Sequence, residues 1–274
     1  MSDPAPTDPS ATLTLGAHVD QTDPIAAAQA LGLDAVQFFI GDPQGWKGHA
    51  VAYAGGAEAL RADAEAAGVG LYVHAPYIVN VATTNNRIRI PSRKLLQQHV
   101  DAAAAIGAKG LIVHGGHVNK GDDPEKGFDN WRKAIEATDL KIPLLLENTA
   151  GGDNAMARTL ERIARTWDAI GQAEGSDNVG FCLDTCHAHA GGIPIATAVE
   201  AIHSITGRID LVHCNDSRDE FDSGADRHTN LGEGLIDPDE LAGAVRAAGS
   251  PVVIETRGGL DGQRADLDWL RARL

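Results

Sequence analysis

The chain has 274 residues, with 38 acidic and 23 basic side chains and a formal net charge of −15 when histidine is counted as neutral. A protein this acidic does not attract nucleic acid over its whole surface, because such attraction depends on Lys and Arg neutralising phosphates. The composition, 43% hydrophobic and 22% charged, is typical of a soluble globular protein and excludes the disordered, collagenous and disulfide-framework classes.

The first twelve residues, MSDPAPTDPSAT, are polar, acidic and rich in proline. They lack the basic and apolar regions of a secretory signal and the arginines of a transit peptide, so we predict a disordered tail over 1–12. No stretch approaches the roughly 18 apolar residues of a membrane span. We therefore expect a cytoplasmic protein without membrane association. Three cysteines are too few for a disulfide framework and should be reduced and buried.

Eight short apolar runs follow in chain order, and each precedes a stretch with apolar residues at helical spacing. This alternation within roughly 260 residues is the pattern of a (β/α)8 TIM barrel, with a doubly wound open sheet as the competing architecture. Because no linker divides the chain after residue 12, we predict a single domain over 13–274. The predicted strands cover 13–18, 35–40, 70–75, 110–115, 143–148, 179–184, 209–214 and 251–256. The predicted helices cover 25–32, 57–68, 92–107, 127–138, 155–175, 195–206, 237–249 and 267–274.

Histidine and carboxylate side chains stand at the ends of the third to eighth predicted strands. In a barrel these strand ends converge on one mouth, where barrel enzymes build their active sites. So many imidazoles and carboxylates in one place would be costly to bury unless cations neutralised them, which predicts bound metal. The six residues are His74, His114, Glu147, Asp184, His213 and Glu255.

Three further candidates come from loops. Asp226 and His228 alternate as i and i+2, so extended backbone would direct both to one side. His187, three residues beyond Asp184, completes a His/Asp/His set typical of zinc. Nine candidate ligands are too many for one tetrahedral zinc. They suit two or three metals, an arrangement that stabilises the attacking and leaving oxygens of a phosphoester displacement.

Eight motifs in one order resemble the endonuclease IV family of apurinic/apyrimidinic endonucleases of base-excision repair. They are GAH at 16–18, HAPYIVN at 74–80, VHGGH at 113–117, LENTAGG at 146–152, DTCH at 184–187, HCNDS at 213–217, DRHTNLGEG at 226–234 and IET at 254–256. The resemblance implies hydrolysis of the phosphodiester 5′ to an abasic site through a metal-bridged hydroxide, leaving a 3′-hydroxyl and a 5′-deoxyribose phosphate. It also implies 3′-repair phosphodiesterase activity.

The resemblance further implies three zinc ions per chain, with manganese able to replace one, and a monomeric enzyme acting on double-stranded DNA with abasic or 3′-blocked damage. Glu147 would bridge the first and second metals and hold the attacking water, as the catalytic residue. The implied ligands are His74, His114 and Glu147 for the first metal, Glu147, Asp184, His213 and Glu255 for the second, and His187, Asp226 and His228 for the third.

The same resemblance implies where DNA is contacted. Tyr77 matches an aromatic residue that enters the duplex at the lesion, and Asn80 lies nearby in the same motif. Gln44 takes the position where family members can place a wedging arginine, so this chain departs from the family there. Arg227 is a candidate contact to the DNA backbone. The departure affects DNA wedging and leaves the metal ligands unchanged.

Two other functions compete with this interpretation. A sugar isomerase or epimerase would also use a barrel with His and carboxylate ligands, although it needs only one or two metals. A non-catalytic DNA-lesion binding protein would fit the Gln44 departure and the net acidity, although mere binding requires no bridging glutamate.

Overall fold

The computed structural model describes residues 13–46, 49–152 and 154–274. The tail predicted over 1–12 lies outside the described residues. Eight parallel strands close into a barrel, because the first strand (Leu15–His18) pairs with the second (Ala35–Phe39) on one side and with the last (Val252–Ile254) on the other. This closure confirms the predicted TIM barrel and excludes the open sheet.

The structure contains all eight predicted strands as barrel strands. These are β1 (Leu15–His18), β2 (Ala35–Phe39), β3 (Gly70–His74), β4 (Gly110–His114), β5 (Leu144–Glu147), β6 (Val179–Asp184), β7 (Leu211–His213) and β10 (Val252–Ile254). A short antiparallel pair, β8 (Asp216–Ser217) and β9 (His228–Thr229), lies between β7 and β10. The described helices are α1 (Pro24–Leu31), α2 (Gly56–Ala67), α3 (Asn86–Ala105), α4 (Glu125–Glu136), α5 (Leu160–Gly171), α6 (Thr185–Gly191), α7 (Ile195–Thr206), α8 (Pro238–Ala248) and α9 (Gly259–Arg271).

Some helix boundaries differ from the predicted ones. Helix α3 begins six residues earlier than expected, because the Asn85 side chain accepts a hydrogen bond from Arg87 N and the helix continues through Pro91. Helix α5 begins at Leu160 instead of 155, where Thr159 caps it. Helix α6 was not predicted. Its first turn is capped by Asp184, whose Oδ1 accepts a hydrogen bond from His187 N at 2.7 Å.

The barrel interior is built in layers. A buried apolar cluster, separate from the core under the helices, fills the lumen. Since side chains alternate along a strand, the residue two positions later faces the same interior nearer the mouth. The lumen cluster is Ala35, Tyr72, Ile112, Leu145, Cys182, Leu211 and Val253. The residues two positions beyond these seven form a second layer nearer the mouth, and His18 is the member from β1. This layer, which we call the polar layer, consists of His18, Gln37, His74, His114, Glu147, Asp184, His213 and Glu255.

The three cysteines agree with the sequence prediction. Cys182, Cys186 and Cys214 are buried and form no disulfide, as expected. Within the described ranges, no helix combines the length and apolarity needed to cross a membrane.

Candidate metal centre

The structure brings the nine predicted ligands together at the C-terminal mouth of the barrel. They fall into three groups, in each of which one ligand atom per residue lies within 4.8 Å of the others. Glu147 belongs to two groups. The groups are His74, His114 and Glu147; Glu147, Asp184, His213 and Glu255; and His187, Asp226 and His228.

The first group surrounds one oxygen of Glu147. The Nε2 atoms of His74 and His114 lie 3.2 and 3.3 Å from Glu147 Oε2. His74 Nδ1 donates a hydrogen bond of 2.7 Å to the Ala75 carbonyl oxygen. This bond fixes the proton on Nδ1 and leaves the Nε2 lone pair facing the site, as a metal ligand requires.

The second group uses the other oxygen of Glu147. His213 Nδ1 lies 3.2 Å from Glu147 Oε1, 3.4 Å from Glu255 Oε2 and 3.8 Å from Asp184 Oδ2. Glu147 is fully buried. Because its two oxygens face different groups, its carboxylate can bridge two cations.

The third group lies where α6 meets β9. Asp226 Oδ1 is 3.1 Å from His187 Nε2 and 3.2 Å from His228 Nε2. His187 Nδ1 donates to the Asn148 carbonyl oxygen at 3.0 Å, which leaves its Nε2 available. The loop that carries Asp226 and His228 therefore completes a site begun by α6.

The donor set fits divalent cations. His228 Nε2 is buried, and its 3.2 Å contact with Asp226 Oδ1 lacks hydrogen-bond geometry, so within the described residues this nitrogen has no aligned partner and can serve a ligand. Imidazole nitrogens and carboxylate oxygens are ligands that zinc accepts, and manganese also takes the carboxylates. Cys186 could join Asp184 and His228 in a further group. Burial raises the pKa of its thiol to about 12 in the metal-free chain, so a metal would have to displace that proton before Cys186 could bind it.

Charge within the centre is strongly coupled. Burial alone would raise the pKa of Glu147, but the imidazoles of His114 and His213 outweigh it and hold that pKa well below the usual value. Burial alone would lower the pKa of His187, but the Asp184 carboxylate leads the groups that raise it well above the usual value. Without metal, protonated imidazoles therefore neutralise the carboxylates. Metal and protons compete for the same ligands.

Two asparagines that the sequence analysis missed hold Asp184. Asn148 Oδ1 accepts from Asp184 N at 2.8 Å, and its Nδ2 donates to the Asp184 carbonyl oxygen at 2.9 Å. Asn215 Nδ2 donates to Asp184 Oδ2 at 2.7 Å, and its Oδ1 accepts from Glu255 N at 2.8 Å. Asn148 directly follows Glu147 and Asn215 stands two residues after His213. Both asparagines stand beside predicted ligands in the LENTAGG and HCNDS motifs, and this position is the sequence signal that could have identified them.

Asp216 is a further residue that was missed, and it organises the loop carrying the third group. It is fully buried, and its Oδ2 accepts hydrogen bonds from Gly232 N at 3.0 Å and Gly234 N at 2.9 Å. Its Oδ1 accepts from Ile236 N at 3.1 Å. A Cβ at position 234 would collide with this carboxylate, so the close approach requires glycine.

Substitution of Asp216 by Asn should lower the free energy of unfolding by about 3 kcal/mol, because an amide cannot replace charge-assisted bonds to several backbone N–H groups. Urea unfolding of chelator-treated protein measures this change in the free energy of unfolding. Among the residues that the structure describes, the exposed Asp268 side chain pairs only with Arg271 on its own helix, so Asp268→Asn is the control and should change stability by less than about 0.5 kcal/mol. Equal stability of the two variants would refute the anchoring role.

Two of the predicted DNA contacts lie side by side at the rim. Tyr77 is half exposed, and its ring packs against Phe39 with centroids 5.1 Å apart. Tyr77 N donates to the Pro43 carbonyl oxygen at 2.9 Å, which joins its loop to the loop of Gln44. Gln44 is exposed. Both side chains can therefore meet a ligand that enters the mouth.

The other two predicted DNA contacts are engaged within the protein. Asn80 is buried, its Oδ1 accepts from Thr83 N and His117 N, and its Nδ2 donates to His117 O at 2.9 Å. The Arg227 guanidinium pairs with Asp219, with Nε 2.7 Å from Oδ2. This geometry favours supporting roles for both, Asn80 in shaping its loop and Arg227 in bracing the loop before His228.

Comparisons with known proteins agree with these features. A family model described as a xylose isomerase-like TIM barrel matches residues 25–273. Proteins named "Probable endonuclease 4" from Mycobacterium bovis (strain BCG / Pasteur 1173P2) and Mycobacterium leprae (strain TN) are 55% and 52% identical over 264 residues, covering 95% of this chain and 99% of each relative. Endonuclease IV from Thermus thermophilus superimposes with a TM-score of 0.82 at 28% identity, covering 95% of this chain and 98% of that one. A D-tagatose 3-epimerase-like protein, at 20% identity and a TM-score of 0.77, shares the fold alone. The chain belongs to the endonuclease IV family.

Proposed function

We propose that this protein is a metal-dependent apurinic/apyrimidinic endonuclease that hydrolyses the phosphodiester 5′ to an abasic site. The products are a 3′-hydroxyl and a 5′-deoxyribose phosphate. The observation that carries the proposal is the set of three ligand groups at one mouth, two of them sharing the buried Glu147. A sugar isomerase or epimerase needs no third group, and a protein that only binds lesions needs no shared carboxylate.

We propose that the three groups hold three zinc ions, with manganese able to replace one. When bound, such ions polarise the phosphate oxygens, lower the pKa of a water molecule and offset charge on the leaving oxygen. The chain's own residues hold the ligands in place. Glu147 is fixed between imidazoles on both of its oxygens, while Asp226 and His228 are carried by the loop that Asp216 anchors.

The surface around the mouth supports a nucleic-acid substrate despite the net acidity. Several basic side chains in segments that follow the strand ends form no ion pair and no hydrogen bond in the described part of the chain: Arg87, Lys120, Arg218 and Arg257. Several basic side chains on the flanks are paired, as Arg132 is with Asp129 and Glu136. Exposed apolar side chains also gather in mouth-side segments, including Trp46, Tyr77 and Phe221. Free cations and aromatic rings suit phosphates and bases.

Incision of an end-labelled duplex with one stable abasic analogue tests the function. Zinc-loaded protein should cut once, immediately 5′ to the analogue, and should leave the same duplex without the analogue intact. Chelator-treated protein is the control for metal dependence. If protein shown to contain metal makes no cut, the proposal is refuted, and an isomerase or a lesion-binding protein becomes the better interpretation.

The same proposal includes removal of 3′ blocking groups, because the same centre would act on the phosphodiester beside a blocked end. Its substrate is double-stranded DNA, and its working form is a monomer in the cytoplasm.

An abasic nucleotide has no base to unstack, so it can leave the helix at lower cost than an intact nucleotide. Selectivity for the lesion then requires no reading of base sequence.

Tyr77 offers a test of DNA contact separate from the metals. Tyr77→Ala should lower kcat/KM by about 10- to 100-fold, since stacking of an aromatic ring on a base is worth about 1–3 kcal/mol. Tyr77→Phe keeps the ring and should retain most of the activity. The number of zinc ions per chain should stay the same in both variants. Unchanged kcat/KM in Tyr77→Ala would exclude this residue from the DNA contact.

A further inference from the structure

Gln37 is a member of the polar layer that no proposed metal group contains. It lies in the middle of β2, with Val36 and Phe38 on either side, and it is fully buried. Its strand register places it opposite His18 on β1. A glutamine enclosed in this way needs partners for both ends of its amide, because an unpaired buried polar group is costly.

Both ends of the Gln37 amide contact proposed ligands of the second metal. His213 Nε2 donates to Gln37 Oε1 at 2.8 Å, and Gln37 Nε2 donates to Glu255 Oε1 at 2.6 Å. The same Nε2 lies 3.0 Å from His18 Nδ1. The orientation of the amide is determined, because the reverse orientation would set two oxygens against each other at Glu255.

These contacts decide which atoms of the two ligands face the second group. With its Nε2 proton committed to Gln37, His213 presents the Nδ1 lone pair, which lies 3.2 Å from Glu147 Oε1. With its Oε1 occupied, Glu255 presents Oε2, which lies 3.4 Å from His213 Nδ1. One neutral side chain therefore sets the tautomer of one ligand and the rotation of another.

We propose that Gln37 is a positioning residue for the second metal, acting through His213 and Glu255 and never touching substrate. This rests on the proposed three-metal centre. A neutral amide suits this place, because it satisfies one donor and one acceptor without adding charge. The first and third groups make no hydrogen bond to Gln37 in the described residues, so their affinities should not depend on it.

Gln37→Met, which keeps the length of the side chain and removes its amide, tests the proposal. Gln21→Met is the matched control, since in the described part of the chain the Gln21 amide bonds only to the Gly41 backbone, at 3.1 and 2.9 Å. Zinc bound to the full chain is counted by native mass spectrometry across a series of buffered free zinc concentrations. We expect the affinity for one zinc in Gln37→Met to fall by about 10- to 100-fold, the loss typical when a hydrogen-bond partner of a metal ligand is removed. The affinities for the other two zinc ions should stay unchanged. Gln21→Met should match the unmodified chain.

Equal affinity for all three zinc ions in Gln37→Met and Gln21→Met would overturn the proposal. An unmodified chain that binds fewer than three zinc ions would instead contradict the proposed function, so the two failures are distinct. A second measurement needs no variant. Long-range ¹H–¹⁵N spectra of the zinc-loaded protein should show His213 protonated at Nε2 and bound to metal through Nδ1, and the reverse arrangement would overturn the proposal.

Discussion

Glu147→Gln should fold normally and lose incision activity by about 10³-fold, the upper range for removing one electrostatic stabiliser of a transition state. Glu147 Oε2 faces His74 and His114, and Oε1 faces His187 Nδ1 at 3.1 Å and His213 Nδ1 at 3.2 Å. An amide keeps the shape but has one oxygen instead of two. It therefore cannot bridge two cations, and its nitrogen would face groups that a carboxylate oxygen now meets.

The measurement is kcat on the abasic duplex together with circular dichroism and zinc content. Glu200, an exposed residue on the outer helix α7, is the matched control. Glu200→Gln should retain full activity and three zinc ions. Turnover by Glu147→Gln within a few-fold of the unmodified chain would show that the shared carboxylate is not required.

Metal removal should abolish incision, and the stability lost with the metal should grow as pH rises. In the metal-free chain, burial alone would lower the pKa of His228, but Asp184 leads the carboxylates that raise it above 6.5. His187 is shifted in the same direction. A raised pKa means that the stabilising proton is fully bound below about pH 6.5 and is lost as pH rises through the folded-state pKa.

Metal binding has the opposite pH dependence, because protons leave the ligands as pH rises and the affinity for metal therefore increases. The difference in Tm between zinc-loaded and chelator-treated protein should therefore widen from about pH 6 to about pH 8.5, the range in which histidines with raised pKa titrate. Taking the difference removes the pH dependence of groups outside the centre. A difference that is constant or narrows over this range would contradict the proposed competition between metal and protons.

The barrel could be predicted from the sequence because its signal is local and repeated. Each strand is a short apolar run, and the residue two positions beyond each lumen residue shares its face. This periodicity predicted that the polar residues at the strand ends, from His74 on β3 to Glu255 after β10, share one face. The resemblance to the endonuclease IV family was also confirmed, by relatives that match nearly the whole chain. The metal-ligand roles stay predictions.

The supporting residues were harder to predict because their partners are far away in sequence. Gln37 stands in the apolar run AVQFFI, and its bond to His213 spans 176 positions. Asp216 organises backbone that begins 16 residues later. Arg227 illustrates the converse problem, since the sequence shows its charge but not its ion pair with Asp219. Patterns of residue type show which face a side chain occupies, whereas hydrogen-bond partners depend on the closed barrel.

Anomalous diffraction at the zinc edge, from crystals of protein purified without chelator, tests the central claim most directly. Three peaks are expected, one within each ligand group, with Glu147 between the first two and His228 beside the third. A single peak, or two peaks with His187, Asp226 and His228 left without metal, would contradict a three-metal centre and the phosphodiester chemistry proposed from it.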